Sequence, residues 1–394
     1  VSITLAARVQ RIAPSATVGM TARAIALKAQ GRDIISLSVG EPDFPTPAHI
    51  CEAAVAAIAA GATKYTALEG TRELKTAIQR KLDRENGLRY APEQILVSSG
   101  AKQSCFNLCL ALLDQGDEAI IAAPYWVSYP DMVRMADANP VIVPTTAEQA
   151  FVMQAQDLAA AITPRTRLVI LNSPGNPTGA VYSREALVAL GAVIERHPRI
   201  VVLSDEIYEH ILWTGAPYAS FAAACPALQS RTVTINGMSK AYAMSGWRLG
   251  YAAGPREIIG AMSAIQSQST TNASSISQAA GVAALDGDQG CVRRMCREFQ
   301  QRHDAVQPLL DAIPGIRCRK VSGAFYLFAD VTGVIQRKGL HDDVDFCEQL
   351  LERAGVAIVP GSAFGAPGFV RLSFAASLET LRAAIERLRL FAAA

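Results

Sequence analysis

Residues 232–251 read TVTINGMSKAYAMSGWRLGY, and the reading of this stretch decides the fold. It opens on a β-branched run, Thr232–Ile235, breaks at Asn236-Gly237, presents Lys240 and then Arg248, and passes into a second short apolar run, Leu249–Ala253. A run apolar on both sides of its axis marks a strand buried on both faces of a sheet. Working outward, Ile200–Leu203 runs into Ser204-Asp205-Glu206-Ile207-Tyr208, and Leu168–Leu171 runs into NSPGNPTGAVY, Asn172–Tyr182. Val141–Val143, Ala119–Ala122 and Ile95–Ser98 continue the series toward the N-terminus. Helical patterns such as Lys102–Leu113 and Arg184–His197 lie between them. That alternation predicts an α/β domain with a mostly parallel seven-stranded sheet and helices on both faces.

Beyond Asp286 the texture changes. A long helical pattern, Asp288 to Ile313, precedes expected strands at Arg317–Val321, Ala324–Ala329, Val356–Val359 and Val370–Phe374, with helices at Asp343–Ala354 and Leu378–Phe391. The first forty residues hold a single expected helix, Ala16 to Gln30, and join this second unit. The expected organisation is a large domain over 45–287 interrupting a smaller α+β domain made of 1–44 and 288–394.

Composition narrows the function. The 394 residues are 50% hydrophobic and 18% charged, with a formal net charge of +2. Such a chain is too apolar for disorder and lacks the clustered positive charge that a nucleic-acid binder needs. The longest run free of acidic and basic residues, 258–285, carries Gln266 to Asn272 and is too polar for a bilayer core. Arg8 and Arg11 interrupt any apolar leader, so a cytoplasmic protein without membrane or nucleic-acid partners is expected. The cysteines at 51, 105, 109, 225, 291, 296, 318 and 347 form no CxxC, and the histidines are scattered. No metal site is therefore expected, and Cys105 and Cys109, on one helical face, read as small core residues.

Ligands of open α/β sheets bind beyond the carboxyl ends of the strands, so chemistry is sought there. SSGAKQ, Ser98–Gln103, opens a helix whose free N–H groups suit a phosphate, although it lacks the pattern of a P-loop. Three further strand ends offer an Asn, an Asp with a Tyr three residues on, and a Lys followed eight residues later by an Arg. Each has a bland alternative: a solvated lysine, helix N-terminal charges at Asp205-Glu206, ordinary turn prolines.

Together these residues carry a resemblance. GMSKAYAMSGWRLG, Gly237 to Gly250, is similar to the pyridoxal-phosphate lysine signature of class I aminotransferases, and NSPGNPTG, SDEIYEH and FVRLSF follow in that family's pattern. The likeness runs from LSVGEPDFPTP, Leu37–Pro47, to the C-terminal helix. Through PSAT (Pro14–Thr17), GAKQ (Gly100–Gln103) and PYWVSYP (Pro124–Pro130) it most resembles the bacterial aspartate aminotransferase branch, which includes aspartate/prephenate enzymes. The resemblance implies a fold-type-I transferase that uses pyridoxal 5'-phosphate.

The same resemblance implies roles. Lys240 is the primary amine that condenses with the cofactor aldehyde and then moves the substrate proton. Asp205 faces the pyridine nitrogen and keeps it protonated. Tyr208 and Asn176 hydrogen-bond the phenolic oxygen, and Trp126 stacks on the ring. Gly100, Ala101 and Lys102 hold the phosphate with Arg248 as counter-charge, joined by Tyr65 from a second subunit, which makes the expected unit a homodimer with shared active sites. Gly237 stands where many relatives have Ser, so a phosphate contact from Ser239 is left unassigned.

Arg371 clamps the substrate α-carboxylate bidentately, with the main-chain N–H of Gly40 as a second contact. Lys102, Ser15 and Thr17 receive a distal carboxylate, against the alternatives that Lys102 serves only the phosphate and Ser15 only caps a helix. The expected reaction exchanges the amino group of L-aspartate with 2-oxoglutarate by a ping-pong route. Alternatives within the fold are aromatic, alanine-type or prephenate transamination, or a lyase on the same cofactor. Prephenate-using members carry a Lys where this chain has Ala13, which counts against that activity.

Overall fold

The computed structural model describes residues 3–12 and 16–394. Seven strands form one sheet: β1 (Ile95–Ser98), β2 (Glu118–Ala123), β3 (Asn139–Pro144), β4 (Thr166–Asn172), β5 (Val201–Asp205), β6 (Thr232–Gly237) and β7 (Gly250–Ala253). Their spatial order is β1-β7-β6-β5-β4-β2-β3. β7 runs antiparallel to both β1 and β6, and the remaining pairs are parallel. All seven match the runs read from the sequence.

Alternation along each strand supplies both faces. Leu96, Ile121, Leu168, Ile170, Leu203 and Ile235 pack under the helices Ala101–Leu112 and Arg256–Ser267. Their alternates Ile120, Val169, Leu171 and Val202 face the helix Arg184–Glu195, and Ile95, Val97 and Tyr251 face Ala48–Ala59, Arg72–Lys81 and Ser275–Asp286. Cys105 and Cys109 lie in the first of these layers, each 1% exposed, as small core residues do.

A second core gathers around a four-stranded antiparallel sheet ordered Val359–Pro360, Phe369–Ser373, Tyr326–Asp330, Arg317–Cys318. The 22-residue helix Gly290–Asp311 and the C-terminal helix Leu378–Ala393 cover it. The N-terminal segment joins this unit, because Ile35–Ser36 pairs in parallel with Val356–Ala357. Here the structure departs from expectation in three places. The expected strand Val356–Val359 is split, its halves pairing in different sheets on either side of fully buried Ile358. The strand at Arg317 ends at Cys318, and Val321 N–H donates to His303 Nε2 at 3.1 Å instead. The next strand starts only at Tyr326, since Ala324 takes a left-handed φ of 56° that no ladder accommodates. Among the described residues a short helix at Ala7–Gln10 was not read from the sequence, and no helix is long and apolar enough to cross a membrane.

Candidate active site

The carboxyl ends of β4, β5 and β6 open into a cavity of about 360 Å³. Lys240, Asp205, Tyr208, Asn176, Trp126, Ala101, Lys102, Arg248, Arg371, Gly40 and Thr17 all line it, so eleven of the residues singled out from scattered motifs converge. Gly100 sits directly behind them. Tyr65 does not reach the cavity of its own chain; it is 90% exposed on the surface. Ser15 and Ala13 lie outside the described residues.

Lys240 follows β6 by three residues. Its Nζ donates to the Gly40 carbonyl at 2.5 Å, 200 positions earlier in the chain. Burial, opposed by Glu41 and reinforced by Arg371 and Arg248, brings its pKa down to about 8. Roughly a tenth of the amine is therefore neutral at pH 7, far more than in an open chain, as a nucleophile or base requires.

Asp205 ends β5 with 5% exposure. Tyr129 OH donates to its Oδ2 at 2.6 Å and the Ile207 N–H to its Oδ1 at 3.2 Å. Burial nevertheless raises its pKa, outweighing both hydrogen bonds and the attraction of Lys240. A carboxylate held this way is primed for a cationic partner that would bring it back down. Tyr208 OH shares a 2.7 Å hydrogen bond with Tyr326 OH, and burial first, then Tyr326, pushes the Tyr208 phenol well up.

One end of the cavity is built for an anion. Gly100 caps the helix Ala101–Leu112 at φ 91°, where a Cβ would sit 2.5 Å from Arg248 Nη2. Gly250 on β7 likewise has no room for a Cβ, which would lie 2.3 Å from Ala101 N. Strand, helix start and guanidinium thus meet without side chains between them, and the first helical N–H groups at Ala101 and Lys102 remain as donors. A Cβ at Gly237 would likewise stand 2.8 Å from Leu249 O.

The other end carries Arg371, on the small sheet and 2% exposed. Nη1 donates to Asn176 Oδ1 at 3.0 Å and Nη2 to the Ser38 carbonyl at 2.5 Å, while Nε has no partner. The guanidinium lies over the rings of Tyr326 (4.6 Å) and Phe364 (5.0 Å). No carboxylate side chain pairs with it among the described residues. At the mouth, Lys102 Nζ sits 4.7 Å from the Trp126 ring, its pKa lowered by burial and by Arg248, and Thr17 Oγ1 is buried without a partner.

Among the lining residues to which the sequence assigned no role are Tyr129, Tyr326, Ser245 and Asn172. Tyr129 lies three residues after Trp126 in the quoted PYWVSYP, in the first turn of the helix Ser128–Met135, and the two rings meet edge-on at 5.2 Å. Asn172 begins the quoted NSPGNPTG; its Nδ2 donates to Asp205 O and its Oδ1 accepts from Asn176 N–H, tying the two strand ends together. Ser245 hydrogen-bonds Glu41. Tyr326 sits in a strand with no distinctive motif and could not have been found.

A sheet of this topology, with a softened lysine and an isolated buried arginine facing one crevice, defines an α/β enzyme for small anionic substrates. Comparison with known proteins gives the class its family. The family described as aminotransferase class I and II matches residues 32–388. The aspartate/prephenate aminotransferase of Nitrosomonas europaea is 52% identical over 390 residues, covering 98% of each chain. The aspartate aminotransferase of Rhizobium meliloti is 50% identical over 388 residues, covering 97% of this chain and 95% of its own. Among solved structures, an aspartate aminotransferase from Rhizobium meliloti superimposes with a TM-score of 0.95 at 48% identity, covering 100% of this chain and 99% of that one. The Thermus thermophilus aspartate aminotransferase with maleate gives 0.93 at 46% identity, covering 99% and 100%. The chain belongs to the class I and II aminotransferases, and its architecture is that of a fold-type-I transferase.

Proposed function

We propose that the protein is a pyridoxal 5'-phosphate-dependent aspartate aminotransferase, exchanging the amino group of L-aspartate with 2-oxoglutarate to give oxaloacetate and L-glutamate. The observation that carries this reading is Arg371. A buried guanidinium with no acidic partner and a free Nε is costly to leave uncompensated, and a substrate α-carboxylate matches its fork. Lys102 and Thr17, which line the same cavity, supply donors for a second carboxylate. The dicarboxylate maleate named with the Thermus thermophilus relative supports that assignment.

The residues fit the cofactor. Donors at Gly100, Ala101, Lys102 and Arg248 suit a phosphate, Trp126 offers a ring face, Asp205 a buried carboxylate, and Tyr208 and Asn176 donors for a phenolic oxygen. Bound pyridoxal phosphate supplies an electron-accepting ring and an aldehyde that carries the amino group. Asp205, poised by Tyr129, holds negative charge against the ring nitrogen. Arg371 and the Gly40 N–H orient the substrate so that its Cα faces Lys240. The Lys240 amine, whose lowered pKa brings the uncharged form within reach near neutrality, takes the proton from that carbon and later returns one. Tyr208 donates to oxygen beside the reacting centre.

Three features go with this reading. Residues 45–287 form a large domain and 1–44 with 288–394 a small one, their meeting line passing through the cavity. The functional unit is a homodimer in which Tyr65 serves the partner's phosphate site; its 90% exposure and the exposed Val55 and Ile58 on the neighbouring helix support a covered surface there. Prephenate as an acceptor is a second reading, favoured by the name of the Nitrosomonas europaea relative and opposed by Ala13. The test is a single-turnover absorbance titration of the cofactor-loaded protein with an amino-acid panel, followed by acceptor assays. Aspartate and glutamate are expected to convert the cofactor. Conversion by phenylalanine alone would overturn the substrate assignment.

A further inference from the structure

Behind the catalytic strand ends lies a buried polar cluster that the reaction does not use. Among the described residues, Glu85, Glu209 and His210 bring ligand atoms within 4.8 Å of one another, as a metal site would. The cation is already present, however. Lys81, 1% exposed at the end of the helix Arg72–Lys81, puts its Nζ against Glu209 and 2.7 Å from Asn86 Oδ1, with Glu85 Oε2 at 3.6 Å. Asn86 Nδ2 donates to the other Glu209 oxygen at 2.8 Å. Burial alone would raise the Glu209 carboxyl, yet Lys81, His210 and Asn86 hold it below its ordinary value.

What this carboxylate holds matters. Glu209 directly follows Tyr208. Its Oε1 also accepts from Asn236 Nδ2 at 2.6 Å, and Asn236 Oδ1 in turn accepts the Gly237 N–H at 2.7 Å, at the end of β6 just before Lys240. One charged group therefore fastens the turn bearing Tyr208 to the loop bearing Lys240, with Lys81 as its anchor on the outer helix. A buried ion pair adds little net stability over apolar packing, so its worth here lies in geometry. We propose that Glu209, through Asn236, is a positioning residue that sets Lys240 relative to Tyr208 and Asp205. This rests on the reading of Lys240 as the cofactor lysine.

The decisive variant is Asn236→Ala, which cuts the link while leaving the Lys81–Glu209 pair intact; Glu209→Gln is its companion. In Asn236→Ala we expect kcat to fall about ten- to a hundredfold with KM changed less than about threefold, the response to a misplaced catalytic group. The pH midpoint of the bound-cofactor absorbance should move by about half a pH unit or more. In the cofactor-free protein, amides 236–244 should exchange faster with solvent than in the wild type. Wild-type kcat, absorbance midpoint and exchange in Asn236→Ala overturn the proposal even if Glu209→Gln fails to fold. A wild-type protein that shows no cofactor absorbance trapped at Lys240 overturns the functional reading itself.

Discussion

Lys240 shows how one side chain's surroundings become a measurable property of the whole protein. Its ammonium is disfavoured in the fold, with a pKa of about 8 against 10.5 in an open chain. Between those values the unfolded chain holds a proton that the folded chain has released. Stability at this position therefore rises with pH across that window, and the burial penalty is fully present below pH 8. In the cofactor-free protein, Lys240→Met should be more stable than wild type at pH 7 by on the order of 3 kcal/mol. That advantage should vanish by about pH 10.5. Urea titrations at several pH values read it directly, and a constant gap from pH 7 to 11 would contradict the burial account. Arg371, also a cation, and Asp205, an anion, follow the same logic: burial disfavours the charge of each, and in the proposed reading a ligand group of opposite charge completes each.

At the scale of elements, the anion end of the cavity depends on three backbone pieces touching without side chains. β7 approaches the start of the helix Ala101–Leu112 so closely that a methyl at Gly250 would lie 2.3 Å from Ala101 N and 2.6 Å from Gly100 C. These are backbone atoms and cannot swing aside. Gly250→Ala must push the helix start away from the sheet, costing about 1–3 kcal/mol of stability and weakening cofactor affinity at least about tenfold. Denaturation and absorbance titration check both effects, and wild-type values for both would show that the contact is slack. The glycines in GMSKAYAMSGWRLG were legible as a motif; that Gly250 serves a helix 149 residues earlier in number was not, because an antiparallel β7 is inserted between β1 and β6 only once the sheet is assembled.

For the molecule as a whole, the exposed Tyr65 gives the dimer proposal a sharp test. Each site should combine its own Lys240 with the partner's Tyr65. Hybrids formed by mixing Tyr65→Ala and Lys240→Ala subunits then contain one fully intact site and one doubly defective one. A one-to-one mixture with free exchange should recover about a quarter of wild-type activity, with the intact sites showing wild-type cofactor affinity. If Tyr65 acts within its own chain, every site that keeps Lys240 retains the weakened affinity of Tyr65→Ala. The two outcomes separate cleanly in a cofactor titration.

The sequence by itself determined all seven strands of the large sheet, because strands buried on both faces must be apolar along their whole length. It also singled out most of the residues that meet in the cavity, because Lys240, Asp205 and Asn176 sit at or just past strand ends in recognisable motifs. The tertiary structure alone decided the rest. Tyr326 enters the site from a strand that any aromatic could occupy, and Val356–Val359 splits because two different sheets claim its ends. Gly40 meets Lys240, and Arg371 meets Asn176, across 200 and 195 positions. Local patterns encode periodicity and turn chemistry; they carry no record of which distant backbone will be brought within hydrogen-bonding reach. That is settled by how the two cores close on each other, and the cavity where aspartate is proposed to react is the gap they leave.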